Sequence, residues 1–126
     1  MTSSKPRAGR DIKFVPKGWG FEKWIVNCEQ YCGKILYIVK GKKCSWHYHN
    51  KKDEVFYVQS GKIRLEYGWN DDKSLGSIAI LERGDKFHVP VGMRHQMYGL
   101  EDTELLEFST EHFDSDSVRV IQGDTL

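Results

Sequence analysis

No apolar run in this 126-residue chain reaches the roughly 18 to 20 residues that a membrane span needs, and residues 1–10 lack the apolar segment of a secretory signal. The chain therefore reads as a soluble, cytoplasmic protein. Excess charge of one sign is also missing: 19 basic residues face 18 acidic ones, and a net charge of +1 draws the chain toward neither nucleic acid nor an acidic membrane. Cysteine is scarce. Three thiols, Cys28, Cys32 and Cys44, are an odd number that argues against a disulfide framework, and no second pair stands elsewhere to complete a zinc ribbon with Cys28 and Cys32. The three read as reduced, structural thiols. Long amphipathic helices and internal repeats are absent as well.

What is present is a series of short apolar runs rich in aromatic and β-branched residues, at 24–27, 34–39, 44–49, 55–59, 62–68, 77–81, 86–89, 95–100, 104–110 and 117–121. Glycines and polar turn residues separate them. Such spacing predicts an all-β sandwich or barrel, and the length allows one domain. Residues 1–11, polar and basic with Pro6 and Gly9, read as a flexible tail ahead of a single domain at 12–126. Lysines 40, 42, 43, 51 and 52 cluster near the middle of the chain, either as a solvated rim or as a mouth that attracts anions.

Two spaced patterns carry the chemistry. Gly41, His47, His49, Glu54 and Gly61 form G, five residues, H-x-H, four residues, E, six residues, G; Gly84, Pro90, Gly92 and His95 form G, five residues, P-x-G, two residues, H. Histidines two apart on a strand point to one face, and Glu54 and His95 can return to that face from neighbouring strands. The two patterns, in this order, resemble the two motifs of the cupin superfamily, with Gly99 where that pattern usually carries Asn. The resemblance implies a double-stranded β-helix, the cupin jelly-roll barrel, with His47, His49, Glu54 and His95 holding one divalent first-row ion (Mn, Fe, Co, Ni or Zn). With four protein ligands, an octahedral ion keeps two positions for substrate or water.

Strict alternation places Lys43 and Ser45 on the inner face with His47 and His49, and Cys44, Trp46 and Tyr48 on the outer one. Phe56 and Val58 follow Glu54 inward, and Met97 follows His95. Trp46 and Tyr48 then need cover from the barrel's outer sheet or a second subunit, and cupins often pair through such a face, so a homodimer is expected. Glu107, in an apolar run, is the candidate acid or base: a carboxylate inside a barrel is either paired, here with a buried Arg, or raised in pKa. Lys52, Arg64 and Arg94 are candidate receivers of a phosphate. His88 reads as an ordinary wall or rim residue, and His112 receives no role.

Along about 100 residues the chain further resembles one cupin branch, the cupin domain of type II mannose-6-phosphate isomerase/mannose-1-phosphate guanylyltransferases and their stand-alone sugar-phosphate isomerase relatives. Lys17-Gly18-Trp19-Gly20 is similar to its R-P-W-G, Val89-Pro90-Val91-Gly92 to its I-P-x-G, Leu106-Glu107 to its L-E, and Asp116-Ser117-Val118-Arg119 to its D-I-V-R. His47 stands where that branch commonly has Gln, and Val55 where it commonly has His. The resemblance implies a small-molecule substrate, a sugar or sugar phosphate, isomerised between aldose and ketose as Glu107 or a metal-bound hydroxide moves a proton through an enediol. The same ligands would also suit an iron-dependent dioxygenase or a non-enzymatic sugar-binding module.

Overall fold

The computed structural model describes residues 6–126. Eleven strands follow one another: β1 (Lys13–Lys17), β2 (Gly20–Asn27), β3 (Cys32–Ile38), β4 (Trp46–His49), β5 (Glu54–Ser60), β6 (Lys62–Gly68), β7 (Ser77–Glu82), β8 (Lys86–Val89), β9 (Arg94–Gly99), β10 (Thr103–Ser109) and β11 (Ser117–Ile121). They form two antiparallel sheets, in the orders β1-β2-β3-β10-β5-β8 and β11-β4-β9-β6-β7, joined as a jelly roll. Ten strands coincide with the ten runs legible in the sequence. The eleventh, β1, carries Pro16, which cannot donate to a ladder; it is tolerated because β1 is the outermost strand of its sheet. Residues 6–12 lie outside the strands and are exposed, while the first five residues of the expected tail lie outside the described residues.

Alternation divides the barrel interior along its length. Ile38, Val58, Ile63, Leu65 and Leu105 are fully buried and fill one end, each side chain contributing roughly 1.5–3 kcal/mol of burial. The other end is polar. There Lys34 faces Glu107 across the β3–β10 ladder, and Ser109 stands opposite Glu54 across β10–β5. A single β-sandwich core thus ends in a charged chamber, which is where β4 and β9 bring the histidines.

Two expectations about side-chain faces are overturned. Lys43 pairs with Tyr98, whose neighbour Met97 is in the core, so Lys43 lies outside, whereas Cys44 joins the core and its Sγ accepts from the Met97 backbone N–H at 3.1 Å. Regular pairing lapses between Lys43 and Trp46, so alternation cannot be carried back from His47 to Lys43. Trp46 does lie on the outer face, but it is fully buried by its own chain: its indole N–H donates to the Asp71 carbonyl at 3.1 Å, beneath the connection between β6 and β7. Tyr48 is capped by the Arg94 guanidinium 3.6 Å from its ring centroid. The argument for a second subunit from these two residues therefore falls away.

Close backbone approaches account for two departures from the family patterns, Gly99 in place of Asn and Gly18 in place of the proline of R-P-W-G. A Cβ on Gly99 would come within 2.6 Å of the Val39 carbonyl oxygen, and one on Gly18 within 2.3 Å of the Thr125 carbonyl carbon. Gly18 thereby admits residues 122–126, which lie against the β1–β2 turn and along the mouth of the chamber.

Candidate metal centre

His47 and His49 lie on β4, and His95 faces His47 across the β4–β9 ladder. The turn into β9 depends on Gly92, whose φ of 85° suits glycine and whose N–H donates to the His49 carbonyl at 2.8 Å. Ladder and turn together bring the three imidazoles to one point, with ligand nitrogens within 4.8 Å of one another. Glu54, at the start of β5, places Oε2 3.4 Å from His49 Nε2 and 3.3 Å from His95 Nε2.

Second contacts set the tautomers. Nδ1 of His47 faces the Ser45 carbonyl at 2.9 Å, that of His49 the Asp116 carbonyl at 3.3 Å and that of His95 the Met93 carbonyl at 3.0 Å. A carbonyl only accepts, so each Nδ1 carries the proton and each Nε2 keeps a lone pair. His95 Nε2 and Glu54 Oε2 are buried without a hydrogen-bond partner, two acceptors side by side. A cation satisfies them. The three imidazoles could therefore hold one divalent metal ion, with the Glu54 carboxylate beside two of them. Burial opposes the charge of Glu54, but the neighbouring His95 and the charge of Lys52 outweigh it and hold the carboxyl well below the usual range. Burial also pushes His47 well below the ordinary imidazole value and His49 down to about 4.

Beside this set lies a buried ion cluster. The Lys52 ammonium is 3.4 Å from Glu54 Oε1, 3.1 Å from Glu107 Oε2 and 3.0 Å from His112 Nδ1. Burial opposes the charge of Lys52, but Glu107 and then Glu54 outweigh it and raise its pKa. One ammonium cannot neutralise two carboxylates. Glu54 keeps the charge, and Glu107 is raised by burial and by the charge of Glu54, with Ser109 Oγ donating to its Oε2 at 3.2 Å.

The chamber that contains these groups has a volume of about 280 Å³. Lys52 and Glu107 line it. Arg64 and Arg94 do not: Arg64 lies on the outer face of β6 over the Tyr98 ring and 3.6 Å from Glu66, and Arg94 is bound to Asp71. Their side chains alternate away from the interior, so the expectation that they receive a phosphate is corrected. His88 is an exposed rim residue bonded to Asp53 at 2.7 Å, in keeping with its ordinary reading.

Several site residues escaped sequence reasoning. His112, to which the sequence assigns no role, faces Lys52, and its Nε2 meets Asp114 Oδ1 at 3.0 Å. Asp116 is buried; its carboxylate accepts from the backbone N–H groups of Asn50, Lys51 and Lys52 at 2.9, 3.2 and 3.0 Å, while its carbonyl orients His49. Lys34 and Glu22 face the chamber from β3 and β2. Asp116 and Arg119 had one signal, the resemblance to D-I-V-R; Glu22 and His112 had none.

The cupin domain model matches residues 34–109, more than half of the chain, and the chain belongs to the cupin family. Among solved structures it is similar to the capsular polysaccharide assembling protein CapF of Staphylococcus aureus (19% identity, TM-score 0.71, 88% of this chain and 34% of that one). It is similar to oxalate decarboxylase of Bacillus subtilis (19%, TM-score 0.74, 86% and 30%), whose Mn(II) centres are the subject of a further structure, and to KdgF of Halomonas sp. (20%, TM-score 0.69, 84% and 90%). The chain thus spans about a third of the first two and most of the third. At these identities the likeness concerns the fold. A search of curated proteins returns no match.

Proposed function

We propose that the protein is a mononuclear divalent-metal cupin that acts on a sugar or sugar phosphate and interconverts aldose and ketose. The observation that carries this reading is the sharing of Lys52 between Glu54 and Glu107, which leaves one carboxylate in the ligand set and the other as a proton acceptor beside it. A bound metal ion would supply Lewis acidity toward the carbonyl and hydroxyl oxygens of the substrate. Glu107 takes the proton from the carbon next to the carbonyl and returns it to the neighbouring carbon, while the proton of the adjacent hydroxyl passes to the former carbonyl oxygen; Lys52 and Ser109 hold the carboxyl group in place. Leu36, Phe56 and Met97 form an apolar wall of the chamber. The name of the S. aureus relative, a capsular polysaccharide assembling protein, is in keeping with a carbohydrate ligand.

The test is proton NMR in deuterated water on a panel of aldoses, ketoses and their phosphates, with Mn, Zn, Co, Ni and Fe supplied in turn. Exchange of the C2 proton with at least one pairing is expected. Sugar binding without exchange would favour a non-enzymatic module, and oxygen consumption with iron a dioxygenase.

The proposal includes a homodimer, now formed by the outer face of the six-stranded sheet. Phe14, Phe21 and Tyr37 stack there at 5.2 Å centroid spacings, and Phe14 and Phe108 are more than half exposed.

A further inference from the structure

We infer that the chamber recognises an anionic group beside the metal ligands, with Arg119 and Lys34 as its receivers. This deepens the sugar reading and rests on it for the body of the ligand. Arg119 stands opposite His47 in the β11–β4 ladder, so its side chain leaves the same face of the sheet as the metal ligand, and it lines the chamber at its exposed edge. Among the described residues its guanidinium has no ion pair and no hydrogen-bond acceptor. Every other lining cation except Lys17 is engaged: Lys52 is held by two carboxylates, and Lys34 by Glu22 alone.

Lys34 is under-coordinated for a buried ammonium. It is 3% exposed, offers three N–H donors, and meets one acceptor, Glu22 Oε1, at 3.5 Å; its remaining contact is the face of Trp24, 4.1 Å from the ring centroid. Glu22 in turn accepts the Trp24 indole N–H at 2.8 Å, so its charge is divided. A buried ammonium with spare donors and an unpaired guanidinium across one chamber favour an oxyanion between them.

The charge balance agrees. Lys17, Lys34, Lys52 and Arg119 face Glu22, Glu54, Glu107, Asp114 and Asp124 around the chamber, and a divalent ion on the histidines turns this sum positive. Lys34 lies on the β3 side and Arg119 on the facing sheet next to His47, so a ligand in the chamber that the metal ligands line is within the walls that carry both cations. Phosphate and carboxylate share this chemistry.

The test is calorimetry on the Mn-loaded full chain with inorganic phosphate, a hexose, its 6-phosphate and the corresponding uronate. The charged sugars are expected to bind about 10- to 100-fold more tightly than the hexose, the span of one or two charge-assisted hydrogen bonds. Whichever of the two binds more tightly identifies phosphate or carboxylate as the group. Arg119→Gln should erase the preference at unchanged Mn content and hexose affinity, Lys34→Met should reduce it, and Arg64→Gln, on the outer face, should leave it. Equal affinities in the wild type, a preference that survives Arg119→Gln, or no binding by any probe would overturn the inference. C2 exchange on neutral hexoses without an anion preference would remove the anion site and keep the isomerase; an Arg119-dependent preference without exchange would do the reverse.

Discussion

Lys52 Nζ stands 3.1 Å from Glu107 Oε2 in an interior where both side chains are less than 5% exposed, and the same ammonium is the counter-ion of Glu54. Removing it strands two buried carboxylates. Lys52→Met is expected to destabilise the metal-free protein by about 3–5 kcal/mol in urea unfolding, the range for breaking a buried pair. Adding Glu107→Gln should recover part of the loss. If the single variant unfolds at the wild-type midpoint, Lys52 is not the keystone of this cluster.

For the chemistry, Glu107→Gln should slow substrate C2 exchange by about 100- to 10,000-fold, as expected for loss of a general base, while metal content stays stoichiometric because Glu107 is outside the ligand set. Unchanged exchange in this variant would assign the proton transfer to another group.

Elemental analysis checks the metal centre. His49→Ala and His95→Ala should abolish stoichiometric metal and leave a folded barrel, since the core is built from apolar layers at the other end. Full occupancy in a triple alanine variant of His47, His49 and His95 would rule out this site.

Asp116 is expected to act at one remove. Asp116→Ala frees the backbone of Asn50, Lys51 and Lys52 from its carboxylate acceptor, and metal affinity should fall about 10- to 100-fold with all four ligands present. Competition with a chromogenic chelator measures this; an unchanged constant would limit Asp116 to a structural role.

Acid should destabilise the metal-free protein earlier than an ordinary barrel. The folded state holds His49 neutral down to about 4, against the usual 6.5, because burial disfavours the imidazolium. Between those values the unfolded chain binds the extra proton, so stability rises with pH and is lost as pH falls from about 6.5 to 4, by ~3 kcal/mol for this group alone. Glu54, with its lowered folded pKa, adds a loss as pH falls below the unfolded value of 4.5. Urea midpoints across this window test the sign, and a flat profile contradicts it.

The sequence by itself determined ten of the eleven strands, the barrel and the meeting of His47, His49 and His95, with Glu54 beside two of them. Period-two alternation and glycine-bounded spacing are local properties: β6, β8 and β11 match their runs residue for residue, and two histidines two apart share a face wherever the strand is regular. Where pairing lapses, between Lys43 and Trp46, the same rule failed. Only the tertiary structure decided what covers Trp46, that Arg64 and Arg94 serve the outer surface, and that Lys52, Glu107, His112, Lys34 and Arg119 line one chamber. Those residues come from five separate segments, and no periodicity records which of them a jelly roll folds together; the charge each carries is written in the chain, but the counter-ion it meets is set by strand order and register.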